Sequence, residues 1–257
     1  VSADSFLDVF VTGLQRERDS GMSGSMSMIS EFFADGMIPW SPILLSLKVA
    51  GLATAASFCA GVAAAWLLAR RRSPFSAVLD AMCTLPMILP PTVLGYYLIL
   101  LVGRRGVIGP WLAECGINLI FSWQGAVVAA TVVVFPLIYK SARAALELVD
   151  PRLENAARTL GASEWKVFWQ VSLPLAWRGI VAGGMLAFAR GMGEFGATLM
   201  IAGNIPGKTQ TLALAIYDAF QAGNDEQATV LVVLTSCLCL TILVLADRLF
   251  GGKAGGR

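Results

Sequence analysis

Five apolar stretches, 43–69, 75–102, 119–146, 177–202 and 227–246, alternate with short polar connectors along the chain. Crossing a hydrocarbon core of about 30 Å takes a helix of about 20 apolar residues, and each stretch is long enough. The pattern therefore predicts an all-α, polytopic membrane protein with five core transmembrane helices between residues 28 and 250. Residues 1–27 begin without Met and end in a Gly/Ser/Met-rich patch, which reads as a disordered or mis-started leader; residues 251–257, GGKAGGR, read as a flexible tail. The stretch Ser30 to Trp40 is short and amphipathic, suited to the membrane interface.

The polar connectors orient the spans. The first span has Lys48 as its one charge and stops at Arg70-Arg71-Arg72. Placing that triplet, the region 140–178 and the C-terminal tail in the cytoplasm gathers twelve of the nineteen basic residues there, with the N-terminus outside. Arg104 and Arg105 then lie outside, against the trend.

Two spans are unlike lipid-facing helices. The centre of the second, TLPMILPPTVLGYY, holds Pro86, Pro90 and Pro91, which break a helix at membrane depth. Irregular backbone there is tolerated where it lines a cavity or is buried in protein, so Pro90, Pro91 and Thr92 either line a pathway or form a structural kink. The fourth span carries Arg190 and Glu194 four residues apart and small-residue faces at Gly179/Gly183 and Ala187/Gly191. One reading is a self-neutralising pair that orients the helix. The other is that Arg190, Gly193, Glu194, Gly196 and Thr198 contribute to an anion pathway.

The one substantial polar island is Asp150 to Pro174, DPRLENAARTLGASEWKVFWQVSLP. Arg152 to Leu160 predicts a short helix with an apolar stripe of Ala156, Ala157 and Leu160, ended by Gly161. Ser163 stands as the N-cap of a second short helix through Val171, with Trp165, Phe168 and Trp169 along one edge and Pro174 opening the next segment. A helix, a glycine hinge and a helix between two spans form a knob that another protein can grip.

Composition limits the chemistry. Apolar residues make up 56% of the chain and charged residues 14%, and the mean hydropathy is +0.70. A net charge of +2 gives no footprint for nucleic acid, and no His is present as proton shuttle or metal ligand. The five scattered Cys match neither a disulfide framework nor a zinc site. An intramembrane enzyme built on Arg190, Glu194 and Asp80 has no nucleophile-and-base pair to support it. The run AGNIPGKT, 202–209, approximates a phosphate-binding loop but comes after a membrane span instead of a strand. Thr209 to Phe220 predicts a short external helix folded back against the mouth.

The polar island resembles the EAA loop of binding-protein-dependent ABC importer permeases. Asn155-Ala156-Ala157 stands for the Glu-Ala-Ala triplet, Gly161 for the glycine, and Val171-Ser172-Leu173-Pro174 for the closing Ile-x-Leu-Pro. The acid is displaced one place, to Glu154. The resemblance implies the type I permease fold and a cytoplasmic coupling-helix loop whose ATPase contacts fall on Glu154, Asn155, Ala156, Ala157, Gly161, Ala162, Ser163, Glu164, Trp165, Leu173 and Pro174. The segments ENAARTLGAS, FARGMGEFGATLMIAGNIPGKTQTLALAIY and GRRGVIGPWL together resemble the permease of molybdate ABC importers, with sulfate permeases sharing the loop. That family implies a homodimer in the lipid of the bacterial inner membrane, and a non-enzymatic transport subunit with no cofactor of its own. It also implies a cytoplasmic ATPase dimer that carries ATP and Mg, and a periplasmic oxyanion-binding protein. The substrate it implies is molybdate, with tungstate or sulfate/thiosulfate as the alternative. An ATPase-independent anion carrier is the remaining reading.

Overall fold

The computed structural model describes residues 40–69 and 74–250. The leader, all but the last residue of the 30–40 stretch, the Arg70–Arg72 triplet and the tail lie outside the described residues. Every regular element among the described residues is helical: α1 Trp40–Leu68, α2 Pro74–Ile88, α3 Pro91–Val102, α4 Gly109–Glu114, α5 Trp123–Glu147, α6 Pro151–Thr159, α7 Glu164–Val167, a π turn Phe168–Ser172, α8 Leu173–Met192, α9 Gly196–Ala202, α10 Leu212–Gln221 and α11 Asp225–Phe250.

Helices α1, α5, the continuous α7–α8 run and α11 are each long and apolar enough to cross a membrane, and α2 and α3 taken together reach the length and apolarity of a fifth, bent by 115° at the break between them. The bend has a local cause. Pro90 takes an extended conformation (φ −55°, ψ 139°) and Pro91 occupies the first turn of α3, where a missing N–H costs nothing. Pro86 does not break the chain, contrary to expectation. It sits inside α2, two residues from its end, where the helix goes without the bond that an N–H at 86 would make to the carbonyl of residue 82.

The stretch expected as span four is divided differently. Instead of opening a new helix, Pro174 continues one that starts at Glu164, because the π turn widens the ladder just before it and Leu173 N–H bonds to Phe168 O. The helix then stops at Met192, and residues 193–195 turn the chain into the separate α9.

The core is built around α5. On one side Val134, Ile138, Tyr139, Ala142 and Leu146 pack against Val62, Ala65 and Leu68 of α1, and against Ala176, Ile180 and Ala187 of α8. On the other, Ala129 and Val133 pack against Leu94 and Leu98 of α3 and Ala197 and Ile201 of α9. The small face of α8 explains the close approach to α5: a Cβ on Gly183 would lie 2.3 Å from the Ser141 Cβ. Lys48 does not reach out of its span freely. Its ammonium lies 3.5 Å from the centroid of the Trp123 ring.

The 202–209 run is a tight turn after α9. Thr209 is fully buried; its hydroxyl accepts from Ile205 N–H at 3.1 Å and donates to Gly203 O at 3.2 Å, so it turns inward and away from any phosphate. Asp218 of α10 accepts from Asn204 and Gln210, each at 3.1 Å, and Leu212 N–H donates to Ser46 Oγ at 2.8 Å. The first two tie α10 to the turn before it, and the third holds its start against α1.

Candidate functional site

The polar island folds as a hinged handle. Asp150 caps α6 by accepting from Arg152 N–H at 2.9 Å. Gly161, at φ +83°, makes the left-handed turn that ends it. Ser163 caps α7 by accepting from Lys166 N–H at 3.4 Å.

Helix α6 is inside out. Its one buried residue is an acid, Glu154, 2% exposed, whereas Leu160 at its C-terminal end is 88% exposed. Ala156, in the expected apolar stripe, also faces outward. A buried carboxylate survives only with partners. Ser172 Oγ donates to Glu154 Oε1 at 2.6 Å, and Arg158 Nη2 lies 3.3 Å from Oε2. Arg158 is the hub of the handle: Nε donates to Glu164 Oε1 at 2.6 Å, Nη2 to Glu164 Oε2 at 2.9 Å, and Nη1 to Asn155 Oδ1 at 2.9 Å. The Glu164 carboxylate, against a small loss of hydration, raises the Arg158 guanidinium above the usual arginine value. The hub thus ties α6 to α7 across the glycine, and Glu154 ties α6 to the π turn that leads into α8.

An aromatic cluster anchors the other side. Trp66, near the end of α1, meets Trp165 edge-on at 5.7 Å and Phe168 at 4.9 Å, and Trp169 packs on both of those rings. Between the rings and the Arg158 hub lies a cleft of about 300 Å³. Of the expected contact residues, Glu154, Asn155, Glu164 and Trp165 take part in these hydrogen-bond and ring contacts, and Gly161 and Ser163 set the turn. Ala156, Leu173 and Pro174 are placed by the helices that carry them, and Ala162 lies in the turn between α6 and α7, its N–H donating at 3.1 Å to the carbonyl of the half-buried Ala157. Arg158, Ser172 and Trp66 were not among the expected residues. Arg158 was detectable as the basic residue one helical turn after Glu154; Ser172 stands in the closing motif of the same island with nothing local to pair it with Glu154, and Trp66 comes from a distant part of the chain.

The expected pathway residues divide. Gly196 comes against the proline break: a Cβ there would lie 2.8 Å from the Pro91 Cβ. Pro90, Pro91, Thr92 and Gly193 are exposed, whereas Thr198 is 1% exposed and sits inside the bundle, lining no open surface. Glu194 is 2% exposed, pairs with Arg190 Nη1 at 2.9 Å and accepts from Ala197 N–H at 3.0 Å. Its carboxylate faces the arginine and accepts from the first turn of α9 at once.

Residues 57–252 match the family described as binding-protein-dependent transport system inner membrane component. The molybdenum transport system permease protein ModB of Escherichia coli K12 is 47% identical over 82% of this chain and 93% of its own length. The protein of the same name from Haemophilus influenzae is 44% identical over 81% and 92%. The sulfate transport system permease protein CysW of Synechocystis is more distant, 36% identical over 81% and 76%. Among solved structures, the inward-facing MetNI methionine ABC transporter superposes with a TM-score of 0.66 at 20% identity, covering 83% of this chain and 95% of that one. A bacterial alginate ABC transporter superposes at 0.70 with 14% identity, covering 95% and 93%. The all-helical bundle thus has the fold of ABC importer permeases, and the chain belongs to the family of binding-protein-dependent transport system inner membrane components.

Proposed function

We propose that this chain is the permease of an ATP-driven molybdate importer, acting as a homodimer in the bacterial inner membrane. A cytoplasmic ATPase dimer grips the handle, and a periplasmic binding protein delivers the oxyanion. ATP closes the ATPase dimer, draws the two handles together and opens the bundle outward; hydrolysis returns it inward. The observation that carries this reading is the inverted polarity of α6. A helix that buries its acid and offers Leu153 and Leu160 to water is organised to be covered by another protein. Similarity to the molybdenum permeases supports the choice of anion. Chemistry on ATP and Mg belongs to the partner, and this chain contributes the moving path.

The test is reconstitution. The chain, its ATPase and its binding protein in vesicles are expected to take up molybdate only when ATP is present, in preference to sulfate. Uptake by the chain alone would establish a carrier and overturn the proposal. Preference for sulfate would keep the machine and change its cargo.

A further inference from the structure

A polar network between α2 and α5 has no part in the handle or in the Arg190–Glu194 pair. Asp80 of α2 accepts from Tyr139 Oη at 2.7 Å and pairs with Arg143 Nη1 at 2.6 Å and Lys140 Nζ at 3.2 Å. Arg143 continues the chain of contacts, with Nε donating to Glu147 Oε1 at 2.8 Å and Nη1 to Tyr139 Oη at 3.1 Å. Tyr139 is fully buried, so the hydroxyl that meets Asp80 is held in place by the core. Lone exposed ion pairs contribute little, but a carboxylate with three donors, one of them a fixed phenol, is a network, and its members reinforce one another.

The network joins elements with different neighbours. Helix α2 is the half-span before the Pro90–Pro91 break. Its one buried residue is Ser76, and Leu79 and Cys83 are partly buried against the main core. Helix α3, beyond the break, belongs to the other core cluster with α9. Beside the Leu79 and Cys83 contacts, Asp80 gives α2 a charged and hydrogen-bonded attachment to α5. The same end of α5 leads through Glu147 directly to Asp150 and the handle.

We infer that Asp80 is a positioning residue for transport: it couples the handle-bearing end of α5 to the half-span that meets the proline break. Displacement of the handle then shifts α2 against α3 at the bend. This rests on the importer reading, so its test measures coupling and not uptake alone.

In vesicles holding the full complex with ATPase and binding protein, the readout is molybdate imported per ATP hydrolysed. Asp80→Asn keeps the size and an acceptor for Tyr139 but removes the charge facing Lys140 and Arg143. It is expected to keep the ATPase bound and to lower that ratio about tenfold. Asp80→Glu restores the charge and is expected to return the ratio to within about twofold of wild type. An unchanged ratio for Asp80→Asn beside a coupled wild-type complex overturns the linkage. Where Asp80→Asn fails to assemble, Lys140→Gln at its half-exposed position decides instead: a drop of about threefold supports the linkage, and no drop overturns it. A wild-type complex that imports nothing with ATP overturns the importer reading, and the linkage falls with it.

Discussion

At the scale of single residues, Glu154 and Asn155 are neighbours with different environments. Glu154 is buried between Ser172 and Arg158, whereas Asn155 lies at the surface and meets only the arginine. Glu154→Ala leaves the buried Ser172 hydroxyl with only the long 3.5 Å contact to Val167 O and frees α6 from the π turn, which costs about 1–3 kcal/mol. Asn155→Ala is expected to cost about 0.5 kcal/mol or less, as surface substitutions do. ATPase retention during purification is expected to be lost with the first and kept with the second; the reverse order would place the acid's role at Asn155. A second pair of substitutions tests packing. Gly183→Ala drives a methyl into Ser141 of α5 and should destabilise by about 1–3 kcal/mol, whereas Gly51 has nothing within 4 Å of an added Cβ. Gly51→Ala is therefore expected to leave the thermal midpoint in detergent unchanged or slightly raised, and Gly183→Ala to lower it.

At the scale of elements, the π turn Phe168–Ser172 fixes how the handle is rotated relative to α8. A π turn carries one residue more than the α-helical count, and a residue of α-helix turns the chain by about 100°. Deleting the exposed Gln170 is expected to restore a plain α-helix and swing α6 and α7 off Trp66. The deletion variant should insert in the membrane yet lose the ATPase; full retention would show that the rotation is immaterial. This element also marks the limit of what the residues disclosed in advance. The cap at Ser163 and the turn at Gly161 follow from local chemistry, so the outline of the handle was legible, whereas the cap at Asp150 was not read in advance. A proline inside a continuing helix is legible only with the neighbouring ladder in view, so the join at Pro174 was misplaced. The burial of Thr198 and the Asp80 network are long-range outcomes, set by which faces α2, α3, α5 and α9 turn to each other, and hydropathy along one chain does not encode that.

At the scale of the whole molecule, the mechanism requires the handle to face the cytoplasm and the α4 and α10 segments to face outside. The distribution of basic residues supports that orientation, and the chain contains a native probe of it. Cys115, at the end of α4, is exposed, whereas Cys59, Cys83, Cys237 and Cys239 lie within helices α1, α2 and α11. A thiol reagent that cannot cross the membrane, applied to the outer face of the inner membrane in whole spheroplasts, is expected to label the wild-type chain at Cys115. The label should disappear with Cys115→Ala. In that background Lys208→Cys, in the turn before α10, should restore labelling, and Ser163→Cys, at the cap of α7, should become reactive only once the membrane is opened. Labelling of Ser163→Cys from outside would put the handle on the side where no ATP is hydrolysed, and no rearrangement of the bundle would then let a cytoplasmic motor drive it.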